Sequence, residues 1–133
     1  METSFVYLPI EDLNKISYIA RGAAFHVYNN LRPGLLESIY TLCLVEELRE
    51  NGLQTESEVH LPVIYKGKKL NKELKIDILV EKALILEVKS VEDFTPLHYA
   101  QTLTYLRLSG LKLGLLMNFN STDMNKSIKR VIN

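Results

Sequence analysis

The chain has 133 residues, a length that fits one domain with its own buried core. Apolar residues make up 47% and charged residues 24%, which excludes a disordered chain, and the formal net charge of zero confines any nucleic-acid affinity to local patches. The single cysteine, Cys43, excludes an intrachain disulfide and a cysteine-rich zinc site.

The opening METSFVYLPIEDLNK lacks the basic-then-apolar pattern of a signal peptide, and no apolar run nears the ~18 residues of a membrane span. A soluble protein in a reducing, cytoplasmic setting is expected, with no membrane partner. Apolar residues at Leu13, Ile16, Ile19, Ala20, Ala23, Ala24, Val27 and Tyr28 have helical spacing and predict one amphipathic helix over 10–30. Arg32-Pro33-Gly34 breaks it. A second helix is expected over 36–51, ended by Asn51-Gly52.

The period then changes to two. Val59, Leu61, Val63 and Tyr65 predict a strand, with Pro62 marking an edge or a bulge, and Lys66-Gly67 turning the chain. Further strands are expected over 74–80 and 84–89, a helix over 95–109 stopped by Gly110, and a buried strand over 113–119. The polar last dozen residues are expected to form at most a short helix ending in Lys129-Arg130. The order α-α-β-β-β-α-β implies an α/β fold, a mixed sheet of about four strands flanked by helices.

The middle hairpin carries the chemistry. Taken as regular strands, Leu74, Ile76, Ile78 and Val80 share one face, as do Leu84, Leu86 and Val88. Stacking these faces sets Ile78 opposite Leu86 and Val80 opposite Leu84, with Glu81-Lys82-Ala83 as the loop. That register sets Asp77 opposite Glu87, with Cβ atoms ~5 Å apart. Two carboxylates this close repel unless neutralised, and a divalent cation such as Mg²⁺ suits oxygen donors. Lys89, on the Glu87 face, is placed to hold an attacking water or a developing phosphoryl charge. The alternative is a solvated strand face with an ordinary cross-strand ion pair.

Asp77 followed by Glu87-Val88-Lys89 resembles the D…ExK core of the PD-(D/E)XK nuclease superfamily. Gly34-Leu35-Leu36-Glu37-Ser38-Ile39-Tyr40 resembles the GxxExxY signature of the GxxExxY protein family within it. Gln101-Thr102-Leu103-Thr104-Tyr105 is similar to the QxxxY motif of exonuclease-like branches, and Gly114-Leu115-Leu116-Met117-Asn118-Phe119 to a closing GLLxNF strand. Arg32 departs from the pattern, standing where the family usually has a small residue or glycine.

The resemblance implies a restriction-endonuclease-like core over residues 10–130 and a Mg²⁺-dependent nuclease, with Mn²⁺ as a substitute. Asp77, Glu87 and the Val88 backbone carbonyl would ligate the metal, with Glu37 as a further acid beside it. Lys89 would orient the water, and Gln101 and Tyr105, one helical turn apart, would steady Lys89 or a phosphate. DNA is the expected partner, met by Lys68, Lys69 and Lys72 in a lysine-rich segment that is otherwise a solvated turn. The small size hints at a homodimer or a larger DNA-processing assembly, in which a catalytically silent nuclease-fold module is the competing reading. Glu37 read without the family is a first-turn acid favoured by the helix dipole. Tyr40 reads as core with its hydroxyl satisfied, and Cys43 as a small core residue. His26 and His60 have no partners at metal-ligand spacing.

Overall fold

A computed structural model describes residues 4–133. Two helices, α1 (Ile10–Leu31) and α2 (Glu37–Glu50), precede the strands β1 (Thr55–Tyr65), β2 (Lys68–Val80) and β3 (Leu84–Lys89). Helix α3 (Pro96–Ser109), β4 (Leu113–Asn118) and β5 (Ile128–Ile132) follow. The strands form one sheet in the order β1-β2-β3-β4-β5. Only β3 and β4, joined through α3, are parallel; the other neighbours are antiparallel.

Helices cover both faces because alternate residues of the central strands are apolar. Leu84, Leu86 and Val88 of β3 pack with Ala24, Tyr40 and Leu44 of α1 and α2. Ile85 packs on the other face with Tyr105 and Leu106 of α3. No helix among the described residues is long and apolar enough to cross a membrane.

The sheet has five strands rather than about four. The C-terminal segment, read from its polarity as a short helix, is a single 3₁₀ turn at Met124–Lys126 followed by β5. In β5, Ile128 joins the α1–α2 cluster and Val131 the α3 cluster. Two apolar residues at odd spacing fall on opposite faces of a strand, so this segment spans the sheet plane and hydrogen-bonds the open side of β4.

The expected β1–β2 turn is present, with φ of 51° at Lys66 and 76° at Gly67, as a two-residue hairpin requires. Both strands are longer than their apolar alternation implied. The β2–β3 register is the expected one, Ile78 facing Leu86 and Val80 facing Leu84.

Candidate active site

The β2–β3 ladder ends at Ile78 and Leu86, one residue short of the two acids. Beyond it, side chains replace the ladder: the Asp77 backbone N–H donates to Glu87 Oε2 at 2.9 Å, and the Val88 N–H to Asp77 Oδ2 at 2.8 Å. Each acid thus holds the opposite strand with one oxygen and keeps the other for a further partner.

One expectation about this hairpin fails. Ile76 and Leu74 do not share a face with Ile78; they pack in the α3 cluster with Leu79. The neighbouring strand departs from the regular pleat at the same level, where Glu58, between Ser57 and Val59, has φ of 51°. Asp77 lines an open cavity shared with Glu37, Ser38 and Thr41 of α2, Glu58, and Val88.

Burial dominates the electrostatics. Glu87 is 1% exposed. Desolvation, and after it the charge of Asp77, pushes its carboxyl up to about 8, although the Asp77 N–H and Lys89 pull the other way. Asp77 is raised too, first by burial, with the Val88 N–H and Lys89 opposing and Glu37 and Glu58 adding repulsion. Without a cation, therefore, Glu87 keeps its proton at neutral pH.

On the α3 side, Lys89 Nζ donates to Gln101 Oε1 at 3.1 Å, and Gln101 Nε2 donates to the Tyr105 hydroxyl at 3.2 Å. Burial raises the Tyr105 phenol, as do the charges of Glu87 and Asp77. Two features seat this helix. Thr95 and His98 cap its start reciprocally, with Pro96 in the first turn. Gly114 lets it approach the sheet: a Cβ there would lie 3.2 Å from Thr102 Cγ2 and 3.4 Å from the Ile85 carbonyl.

On the α2 side, Tyr40 shapes the α1–α2 loop. Its hydroxyl donates to the Arg32 carbonyl and accepts from the Leu35 N–H, and its ring stacks on Phe119 at 4.8 Å. The loop is stitched to the residue after Lys89: Ser90 Oγ donates to the Leu35 carbonyl at 2.8 Å, and the Ser90 N–H to Glu37 Oε2 at 3.2 Å. Glu37 adds charge near both acids, yet in this arrangement it caps a backbone N–H. No group of three or more His, Cys, Asp or Glu side chains is placed to hold a metal ion among the described residues.

Sequence reasoning missed Asn118. Its buried amide accepts from the Val91 N–H at 3.1 Å and donates to the Val91 carbonyl at 2.9 Å, pinning the chain that leaves Lys89. A polar residue closing the apolar run Gly114-Leu115-Leu116-Met117 was the signal. Lys68, Lys69 and Lys72 are exposed on the outer part of β2, five to nine residues from Asp77. Along the partner strand β1, Lys68 lies opposite Tyr65, seven steps or roughly 23 Å from the level of Asp77 at about 3.3 Å per residue. Of the histidines, His98 caps α3, His26 faces Glu47 at 3.3 Å and His60 faces Glu73 at 3.8 Å. Cys43 is half-buried against the α1–α2 cluster.

The donor chemistry fits a hard divalent cation: two neighbouring carboxylates, each raised by burial, for which Lys89 is the one cation that lowers both. Neither the curated proteins nor the solved structures contain a match to the chain. A model of the PD-(D/E)XK nuclease superfamily, whose nucleases generally use divalent metals, matches residues 14–131. That match takes in the acid pair, Lys89, Gln101, Tyr105 and strands β1 to β4, and the chain belongs to the PD-(D/E)XK nuclease superfamily.

Proposed function

We propose that this chain is a Mg²⁺-dependent nuclease that hydrolyses DNA phosphodiesters, of the GxxExxY branch of its superfamily. The observation that carries the reading is the reciprocal Asp77–Glu87 bridge, set beside the Lys89–Gln101–Tyr105 hydrogen-bond chain. Asp77, Glu87 and the Val88 carbonyl would hold the cation, which lowers the pKa of bound water and offsets phosphoryl charge. Mn²⁺, equally an oxygen-seeking ion, would substitute.

Lys89 places a positive group beside the acids, and Gln101 fixes its direction. An ammonium so held can orient a water and stabilise negative charge on phosphorus-bound oxygen. Tyr105 holds Gln101 in turn. Glu37 keeps the Ser90 backbone, and with it the end of β3, at a set position. Lys68, Lys69 and Lys72 supply phosphate contacts away from the cut. A second copy of the chain or a partner subunit would serve the opposite strand of a duplex, in a cytoplasmic setting.

The test is incubation of the purified protein with single-stranded, duplex and nicked DNA in Mg²⁺ or Mn²⁺. Cleavage is expected, and it should disappear in Asp77→Ala and in Lys89→Ala without loss of the folded state by circular dichroism. Full cleavage by both variants would rule out this site. Failure to cleave any substrate, with no Mg²⁺ binding by calorimetry, would leave a silent nuclease-fold module.

A further inference from the structure

The β1–β2 hairpin outruns the sheet. β2 pairs with β3 only through Ile78–Val80, so its outer residues have β1 as their sole strand partner. Lys68–Glu73 are exposed throughout, as are Ile64 and Tyr65 across from them. A two-stranded ribbon is marginal by itself, and this one is held only at its base, where Val59, Leu61 and Ile76 are buried with α3.

Charge is concentrated on this arm. Lys66, Lys68, Lys69, Lys72 and Lys75 are all exposed, in a chain whose net charge is zero. From Val59 to Ile76 the one acid is Glu73, and it faces His60 at 3.8 Å. At the tip, Lys66 Nζ lies 5.5 Å from the centre of the Tyr65 ring.

From these observations we infer that the β1–β2 arm is a grip for duplex DNA that lies in the major groove and sets a minimum substrate length. The inference rests on the nuclease reading of the acid pair and deepens it. Two strands ~4.8 Å apart make a ribbon that enters a B-form major groove about 12 Å wide. The deep, narrow major groove of A-form RNA admits no such element. Five lysines against one acid match a phosphate-lined groove. From Lys68, paired with Tyr65, to Asp77, level with Glu58, the arm spans seven steps of β1, about 23 Å or roughly seven base pairs at 3.4 Å each, because β2 bulges between Lys69 and Glu73. Duplexes shorter than this reach the acids without reaching the arm.

The experiment reads binding apart from cleavage. Fluorescence anisotropy without divalent metal follows labelled duplexes of about 6, 12 and 20 base pairs over a range of NaCl concentrations. Wild-type affinity should rise at least tenfold from the shortest to the middle duplex and level off beyond it. In the triple variant Lys66→Gln, Lys68→Gln, Lys72→Gln that rise should vanish. Its plot of log affinity against log salt on the longest duplex should flatten by about 2–3 units, near 0.9 per lost phosphate contact. Thermal melting of the variant checks that the body is folded. Equal affinity at all three lengths, an unchanged salt slope in the folded variant, or tighter binding of single strands of equal length would each overturn the arm's role. If DNA binds in this pattern yet is never cut in Mg²⁺ or Mn²⁺, the nuclease reading fails and the grip survives.

Discussion

The two sides of the acid pair are built from opposite materials. Toward α3 stands an ammonium group held in a hydrogen-bond chain, Lys89 to Gln101 to Tyr105. Toward α2 lies an open cavity of about 430 Å³ whose charged lining residues are Glu37, Glu58 and Asp77. A phosphate is drawn to the first side and repelled by the second. Both acids feel the same division, since Lys89 lowers each of them while Glu37 raises each. On the nuclease reading, the α3 side therefore suits the reacting phosphoryl group, and Glu37 on the α2 side acts through the Ser90 backbone that it holds.

The largest expected effects test that division directly. On the nuclease reading, Lys89→Ala and Asp77→Ala should each lower kcat/KM on DNA by about 10³-fold or more. Glu37→Gln should cost only about 10–100-fold, as partners that act through other groups do. Gln101→Leu falls in the same smaller range, because Lys89 loses the acceptor that fixes its direction. A Glu37→Gln defect larger than that of Lys89→Ala would invert the roles of the two sides.

The pH dependence of stability sharpens the comparison at the acids themselves. Glu87 rises from an ordinary 4.5 to about 8 in the folded protein. Between those values the folded state holds a proton that the unfolded chain has released, so metal-free stability should fall as pH rises from about 4.5 to 8 and change little above. A bound cation favours both carboxylates ionised, so Mg²⁺ should raise Tm more at pH 8 than at pH 5.5. Glu87→Gln retains an acceptor for the Asp77 N–H and removes the titrating group, so its metal-free Tm should vary less across that range. Calorimetric melts at the two pH values, with and without Mg²⁺, give all three comparisons. A metal-free Tm that climbs from pH 5.5 to 8 would sink the account.

Where apolar residues alternate or recur at helical spacing, the sequence sufficed. The bounds of β3, the Ile78–Leu86 register and α1 were readable because each buries a continuous face. The outer half of β2 was not, since Lys68–Glu73 bury nothing and owe their extended form to pairing with β1. The face change between Ile76 and Ile78 falls where β1 also leaves the regular pleat, at Glu58, and the unbroken apolar alternation within β2 gives no sign of it. In the site, the acids and the lysine follow from the strand register, whereas the glutamine–tyrosine pair is singled out by its resemblance to a QxxxY motif. Glu37 was named, but its bond to the Ser90 N–H depends on a loop path across 53 residues of sequence. The role of Asn118 is not legible within its own strand, because its amide serves backbone contributed by a different connection.

The smallest effect belongs to Arg32, at the head of the loop that carries Glu37. Its backbone has φ of 61° and ψ of 174°, a region that side chains other than hydrogen avoid at about 1–3 kcal/mol. Two terms oppose a change to glycine. The Arg32 guanidinium lies 4.9 Å from the centre of the Tyr28 ring, a contact worth about 0.5–1 kcal/mol when exposed. Glycine also loosens the unfolded chain by about 0.4–1 kcal/mol. Arg32→Gly should thus change stability by less than about 1 kcal/mol, because relief and loss nearly cancel. Arg32→Ala loses the same ring contact and keeps the strain but avoids the cost of a looser unfolded chain, so it should be less stable than Arg32→Gly by about 1 kcal/mol. Urea unfolding of the two variants measures that difference, and an alanine variant at least as stable as the glycine one would show that the loop reaches Glu37's position by a different, unstrained path.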